Sequence, residues 1–280
     1  AGGGAGALGG AEPEDPAAAV YAVPELAHLG RAFRSAHKVL LTESEVEYVV
    51  ECVKHVFDEH VVLQFSVNNT IDDQLLRNVS VAVEPAEADA YEVEATVPAP
   101  EVRFGTPAQT FVVLRRQAEP TPSSFVCELK FRVVQVDPSS GEPEGDPEGF
   151  EEDYPLEELE VLTSDFMAKV TVGDFRRAWE GLGPESERLE KFGLAFRKLD
   201  EAVAAVIDYL GMQPCDNTGA VATAAGKTSH TLHLSGVFLG NVSVLVRAQL
   251  QLDEAAGVVL KMAVRSEDGA ICELVTEMIQ

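Results

Sequence analysis

The chain has 280 residues, 46% of them apolar, and 47 Asp and Glu against 21 Lys and Arg, a formal net charge of −26. That apolar fraction supports a packed core and the length accommodates two ordinary domains, while the charge repels phosphate and argues against general nucleic-acid binding. No apolar run reaches the roughly 18–20 residues of a membrane-spanning helix. Four scattered cysteines, Cys52, Cys127, Cys215 and Cys272, fit neither a disulfide-dense scaffold nor a zinc site, so a reducing compartment is expected.

With neither an initial methionine nor a signal-peptide pattern, the sequence reads as a piece of a longer chain. Residues 1–16, rich in Gly and Ala, read as a flexible tether. Val23, Leu26, Leu29 and Phe33 follow at roughly helical spacing, a short segment within residues 20–35 that docks on what comes next. Residues 1–38 are therefore assigned as hinge and linker. From 39 to about 136 strands dominate. The runs 61–67, 78–83, 91–97, 110–114 and 125–136 are separated by turn signals such as Asn68-Asn69-Thr70 and Glu84-Pro85. Several strands without a long amphipathic helix indicate an all-β sandwich, assigned to residues 39–163. Residues 137–160 carry eleven Asp or Glu and no Lys or Arg. Their Pro and Gly content predicts an irregular excursion, either a solvated connector or a docking site for a basic partner.

Beyond residue 164 the pattern changes. Asp174 is the expected N-cap of a helix whose Phe175, Ala178, Trp179 and Leu182 share one face, with Gly181, Gly183 and Pro184 stopping it. Phe192, Leu194 and Phe196 alternate as a strand does. A second helix is predicted over 200–210, ending at Gly211, followed by strands over 231–239, 243–252 and 258–265. Strands with two helices packed on one face indicate an α+β domain over 164–280. The charge shifts at the same place, residues 1–164 carrying −21 and 165–280 only −5.

Catalytic signals are weak. Gly226-Lys227-Thr228 lacks the first glycine of a phosphate loop, since that position is Val221. His230 and His233 lie three apart in a strand and face opposite sides, so no metal site is expected. No nucleophile-elbow, zincin or dinucleotide fingerprint occurs. Cys127 and Cys272 read as small core residues, and the sequons at Asn68, Asn78 and Asn241 carry no meaning outside a secretory lumen. The sequence points away from an enzyme and calls for no cofactor.

The informative pattern lies elsewhere. Asp253-Glu254-Ala255-Ala256-Gly257 reads as a hairpin loop. Pairing about it puts Val244, Val246, Ala248, Leu250 and Leu252 against Val258, Leu260, Met262 and Val264 on one face. Arg247, Gln249, Lys261 and Arg265 then share the other, with Arg247 opposite Ala263. Three cations on one face of so acidic a chain attract an anionic ligand, unless the face is merely solvated. A register error of one residue would reverse the assignment. Trp179, the one tryptophan, falls on the apolar stripe of its helix as a core residue would. Beside Arg176 and Arg177 on a short helix, it also suits a rigid wall for an acidic-aromatic peptide.

Longer stretches are familiar. Leu41-Thr42-Glu43-Ser44-Glu45 with Glu47-Tyr48-Val49-Val50, Lys54-His55 with Phe57, and Asn78-Val79 running on to Glu84-Pro85 resemble the appendage, or ear, of the coatomer gamma-subunit family. So do Tyr154-Pro155-Leu156-Glu157-Glu158-Leu159-Glu160-Val161, the FxxxW pair Phe175 and Trp179, Glu201-Ala202-Val203, Leu210-Gly211-Met212 with Pro214-Cys215, His230-Thr231-Leu232, and Gly236-Val237-Phe238. Val23-Pro24-Glu25 resembles the junction of hinge and ear. The resemblance covers residues 20–280 and departs from the family in the Gly/Ala-rich start, in 222–226 and in the last ten residues. It favours coatomer over a clathrin-adaptor ear through the LTESE and LGMxPC stretches.

What the resemblance implies is an immunoglobulin-like β-sandwich followed by a platform of antiparallel strands with helices. It further implies a non-enzymatic part of the COPI coat, cytoplasmic and peripheral on Golgi membranes and vesicles, acting in Golgi-to-ER retrograde and intra-Golgi transport. Its expected partners are Arf GTPase-activating proteins and other accessory factors, with the remaining coat subunits reached through a trunk outside this sequence and the membrane met only through the coat. The implied site is Trp179 at the FxxxW position, with Arg247 and Arg265 at the matching basic positions. The working expectation is an indole open to water: Trp179 with Phe175 holding an apolar anchor, and Arg247, Arg265 and Lys261 engaging acidic flanks. The competing expectation is a structural module that docks on coat subunits through residues 137–160.

Overall fold

The alternating apolar pattern resolves into antiparallel strands in a computed structural model that describes residues 15–279 apart from 88, 223–227, 254 and 256. Most of the Gly/Ala-rich start, Gly226-Lys227, and two residues of the 253–257 loop lie outside the described residues. Asp15 opens the described chain, its carboxylate accepting the Ala17 N–H. Helix α1 (Ala18–Tyr21) and a 3-10 turn (Pro24–Leu29) follow, and their Val20 and Leu26 bury themselves against Phe57, Val62, Phe111 and Val113.

The strands run β1 (Arg34–Ser35), β2 (Val39–Leu40), β3 (Tyr48–Val56), β4 (His60–Asn69), β5 (Gln74–Pro85), β6 (Tyr91–Val97), β7 (Ala99–Val102), β8 (Ala108–Arg116) and β9 (Ser123–Gln135). Two more, β10 (Phe150–Pro155) and β11 (Leu159–Val161), complete two sheets. The first has the order β1-β3-β4-β8-β6, with β2 also on β3; the second has β10-β9-β5-β7, with β11 also on β9. Period-2 alternation turns Val50, Cys52, Leu63 and Phe65 of one sheet toward Val79, Val81, Leu129 and Phe131 of the other, in one continuous core. Tyr48 seals one end of it, edge-on to Phe131 at 4.7 Å and to Tyr154 at 5.4 Å. The sandwich expectation is borne out.

The acidic stretch is the irregular excursion that its composition predicts only as far as residue 149. Its second half is β10, the edge strand beside β9, where Glu151 stands opposite Arg132 and Asp153 opposite Lys130. Both pairs close as ion pairs, at 2.9 and 2.8 Å, so charges that read as loop serve as cross-strand partners. Gly149 leads into that strand at φ +64, where an added Cβ would collide with the Val133 carbonyl oxygen, a backbone position that favours glycine.

His55 of β3 is fully buried. The Ser35 hydroxyl lies 2.8 Å from its Nδ1 and the Gln64 side-chain oxygen 3.0 Å from its Nε2, a pairing that suits the neutral ring with its proton on Nε2. Burial holds its pKa below the ordinary value. The unfolded chain therefore takes up this proton first as pH falls. The stabilisation present above the usual histidine pKa of about 6.5 erodes below it, at up to about 1.4 kcal/mol per pH unit. Urea melts at pH 7.5 and 5.0 should show the wild type losing its advantage over His55→Gln on acidification. An advantage independent of pH would refute the assignment.

The third sheet is built from β12 (Met167–Lys169), β13 (Arg188–Leu194), β14 (Gln213–Pro214), β15 (Ser229–Phe238), β16 (Val242–Asp253) and β17 (Gly257–Ser266), in the order β12-β15-β16-β17-β13 with β14 on β15. Helices α2 (Phe175–Leu182), α3 (Leu199–Leu210) and α4 (Gly269–Glu277) pack on it. Val203, Val206 and Leu210 of α3 and Ile271, Cys272 and Val275 of α4 share a core with Val246, Ala248, Leu260 and Met262. Helix α2 instead packs on Leu245 and Ala263, whose parity places them on the opposite face. The two predicted helices thus do not share a face, and α4, which the sequence reading did not anticipate, takes the place beside α3. The α+β class stands.

Between the second and third sheets the chain is clasped. Lys54 of β3 donates to Asp165 at 2.5 Å and to the Glu160 carbonyl at 2.7 Å. Asp165 also accepts the Leu162 N–H at 2.8 Å, and Arg34 donates to the carbonyls of Ser164 and Met167.

Candidate functional site

Helix α2 begins where the sequence predicts, the Asp174 carboxylate accepting the Arg177 N–H at 2.9 Å, and it stops at Gly183 with φ +68. The four-residue spacing of Phe175 and Trp179 turns both rings onto the sheet. The β16–β17 hairpin has the predicted register: Arg247 opposite Ala263, Gln249 opposite Lys261, Leu245 opposite Arg265. Across four strands, Leu189, Ala263, Arg247 and His233 form one row of the outer face, and Lys191, Lys261, Gln249 and Thr231 form the next.

All five predicted site residues lie on this side of the sheet, but the indole is not open to water. Trp179 is 5% exposed. The guanidinium carbons of Arg265 and Arg247 stand 4.5 and 5.0 Å from its ring centroid, and the Phe175 ring stacks on it at 5.8 Å. Phe175, 2% exposed, lies beneath, stacked in turn on His233 at 4.4 Å. It supports the indole and offers no surface of its own to a visitor. A cation–π contact is worth about 0.5–1 kcal/mol where the cation is exposed, as Arg247 is, and more where it is shielded, as Arg265 is, which favours the covered ring over a bare one.

The three cations differ in commitment. Arg265 donates from Nε to Glu187 at 2.6 Å and from Nη1 to the Trp179 carbonyl at 2.8 Å, which fixes it as part of the wall. Arg247 and Lys261 are exposed, and neither has a hydrogen bond or ion pair among the described residues. With Trp179, Glu187, Leu189, Thr231, Gln249 and Ala263 these three line an open groove of about 410 Å³. Leu189 is 71% exposed beside it. Leu189 and Lys191 escaped the sequence reading because the strand was recognised only from Phe192 onward; extending the alternation back through Arg188-Leu189-Glu190-Lys191 would have found them. The groove offers unpaired positive charge above an aromatic floor, with an apolar rim. Among the described residues no cluster of three or more His, Cys, Asp or Glu fits a metal ion, and no helix is long and apolar enough to cross a membrane.

Two family models divide the sequence. The coatomer gamma subunit appendage platform subdomain matches residues 14–162, and the coatomer subunit gamma-1 C-terminal appendage platform matches 164–279. The chain belongs to the coatomer gamma-subunit family. Coatomer subunit gamma-2 of Oryza sativa subsp. japonica is 46% identical over 259 residues, which is 92% of this chain and 29% of that protein. Coatomer subunit gamma of Arabidopsis thaliana is 43% identical over 279 residues, 96% of this chain and 31% of that one. Human coatomer subunit gamma-2 is 42% identical over 251 residues, 88% and 28% respectively. The chain thus spans under a third of the coatomer gamma proteins it matches. Among solved structures, the yeast GGA1 GAE domain covers 45% of this chain at 8% identity and a TM-score of 0.31, too remote to say more of the fold than the sheets do. As a coatomer gamma appendage the chain is a coat component and not an enzyme.

Proposed function

We propose that this appendage recruits accessory proteins to the COPI coat, Arf GTPase-activating proteins among them, through the groove in which Arg247, Lys261 and Arg265 surround Trp179. The observation that carries the reading is the pair of exposed cations at Arg247 and Lys261, neither with an ion pair among the described residues, on a chain of net charge −26. A visiting segment sets a carboxylate between them and an apolar side chain against Leu189 and the rim of the indole. So small a contact gives weak individual binding, and many copies in a polymerised coat raise the effective affinity. Such a role places the chain in the cytoplasm on Golgi membranes and COPI vesicles, in retrograde and intra-Golgi transport, with the membrane reached only through the coat. Docking on other coat subunits through residues 137–160 draws less support, because Glu151 and Asp153 are already engaged by Arg132 and Lys130.

The test is the double substitution Arg247→Glu, Lys261→Glu. Both side chains are exposed, so the variant should still unfold cooperatively, with only the small fall in melting temperature that loss of the Arg247–indole contact brings, while affinity for an Arf GTPase-activating protein falls at least tenfold and its salt dependence weakens. Unaltered capture by calorimetry would overturn the reading.

A further inference from the structure

Each sheet of this protein ends in strands whose outward N–H and C=O groups need protection from adventitious pairing. Most are guarded. β1 and β2 have two residues each, β12 has three, and β7 has four with Pro100 among them. β6 carries Glu92 and Glu94 and a register shift between Val93 and Ala95. β10 carries Glu151, Glu152 and Asp153 and ends at Pro155. β13 differs. Its seven residues run in unbroken register from Arg188 opposite Val264 to Leu194 opposite Val258, with no proline and no bulge. Only β17 pairs with it. Among the described residues, no backbone hydrogen bond ties 188–194 to anything but β17.

The same strand borders the basic groove. Lys191 stands directly opposite Lys261, a like-charge pair that disfavours the free state, and neither lysine has an acidic partner among the described residues. A second copy of β13 laid alongside would bring more lysine to lysine, so the edge resists self-pairing. An acidic strand would relieve the repulsion. Two residues away on the same face, Leu189 offers its exposed side chain.

We infer that β13 is an acceptor edge for strand addition by an extended acidic segment of a partner protein, which places a carboxylate beside Lys191 and an apolar side chain, two residues away, beside Leu189. The main-chain ladder supplies the affinity, and the alternate side chains give the register. This rests on the reading of the same face as a recruitment site and specifies how the recruited segment is held.

The probe is the capped nonapeptide Thr-Val-Thr-Asp-Thr-Val-Thr-Asp-Thr, followed by amide NMR and hydrogen exchange on this chain. Alternate amides of 188–194 should gain at least tenfold protection. N-methylation of the peptide on alternate residues in one phase should abolish binding and in the other phase leave it, and Lys191→Glu, which sets a carboxylate opposite Lys261, should weaken binding at least tenfold without lowering the melting temperature. No binding at millimolar peptide, or binding that leaves 188–194 unprotected and ignores N-methylation in both phases, overturns strand addition. The two readings separate cleanly. Accessory-protein capture sensitive to Arg247→Glu, with β13 unprotected by peptide, sinks strand addition alone; protected β13 amides, with capture indifferent to Arg247→Glu, sink the groove as the recruitment site alone.

Discussion

Replacing Asp165 with alanine should cost this protein about 3–5 kcal/mol of unfolding free energy, because it leaves the Lys54 ammonium buried without its counter-charge. Both side chains are only 7% exposed, and their contact is 2.5 Å. The Lys54 carbonyl partner at Glu160 stays in place, but one neutral acceptor does not balance a buried charge. The Leu162 N–H loses its acceptor as well. Burial holds the Arg34 pKa below its ordinary value while Asp165 opposes that shift, so the same substitution removes charge compensation from a second cation. The double variant Lys54→Met, Asp165→Asn deletes the charges together and keeps an acceptor for Leu162, so it should be markedly more stable than Asp165→Ala. Urea denaturation of the three proteins checks this. A single variant no worse than the double would show that the pair is not holding a charge out of water.

Trp179→Ala should also be costly, about 3 kcal/mol or somewhat more, in the range of buried aromatic truncations. The indole joins Phe175, Cys215 and Leu245 in a small apolar cluster, and its removal leaves Arg265 and Arg247 facing a hole. Trp179→Phe retains a ring between the guanidinium groups and should lose much less. Because Trp179 is the one tryptophan, its fluorescence reports on the site directly. Emission should be blue-shifted and poorly quenched by iodide, and Arg247→Ala should raise the quenching. A ring quenched as freely as tryptophan in solution, or an alanine variant that melts like wild type, would refute the covered indole. Burial also makes Trp179 a poor choice for testing recruitment, since loss of binding and loss of packing would arrive together; Arg247 and Lys261 separate them.

How far the site was legible follows from the range of each interaction. The β16–β17 register and the charged face could be read because alternation and the loop at 253–257 are local, and helix α2 could be read because Asp174 and Gly183 bracket it. Exposure of Trp179 could not. It depends on Arg265, 86 residues away, reaching its carbonyl, and no pattern within the helix announces that. The acidic segment misled for the same reason, since the cations that make residues 150–155 a strand sit on β9. Helix spacing shows that α2 has an apolar stripe but not which face of the sheet receives it; only the parity of Leu245 and Ala263 decides that.

Arg34 reaches forward to the carbonyls at Ser164 and Met167, and Lys54 reaches Asp165 from the neighbouring strand. The backbone entering at residue 34 and the sheet bearing Arg247 are thereby fastened at a common point. An accessory protein held on that sheet, as proposed, would be presented at a constant bearing, as from a bracket bolted at that point.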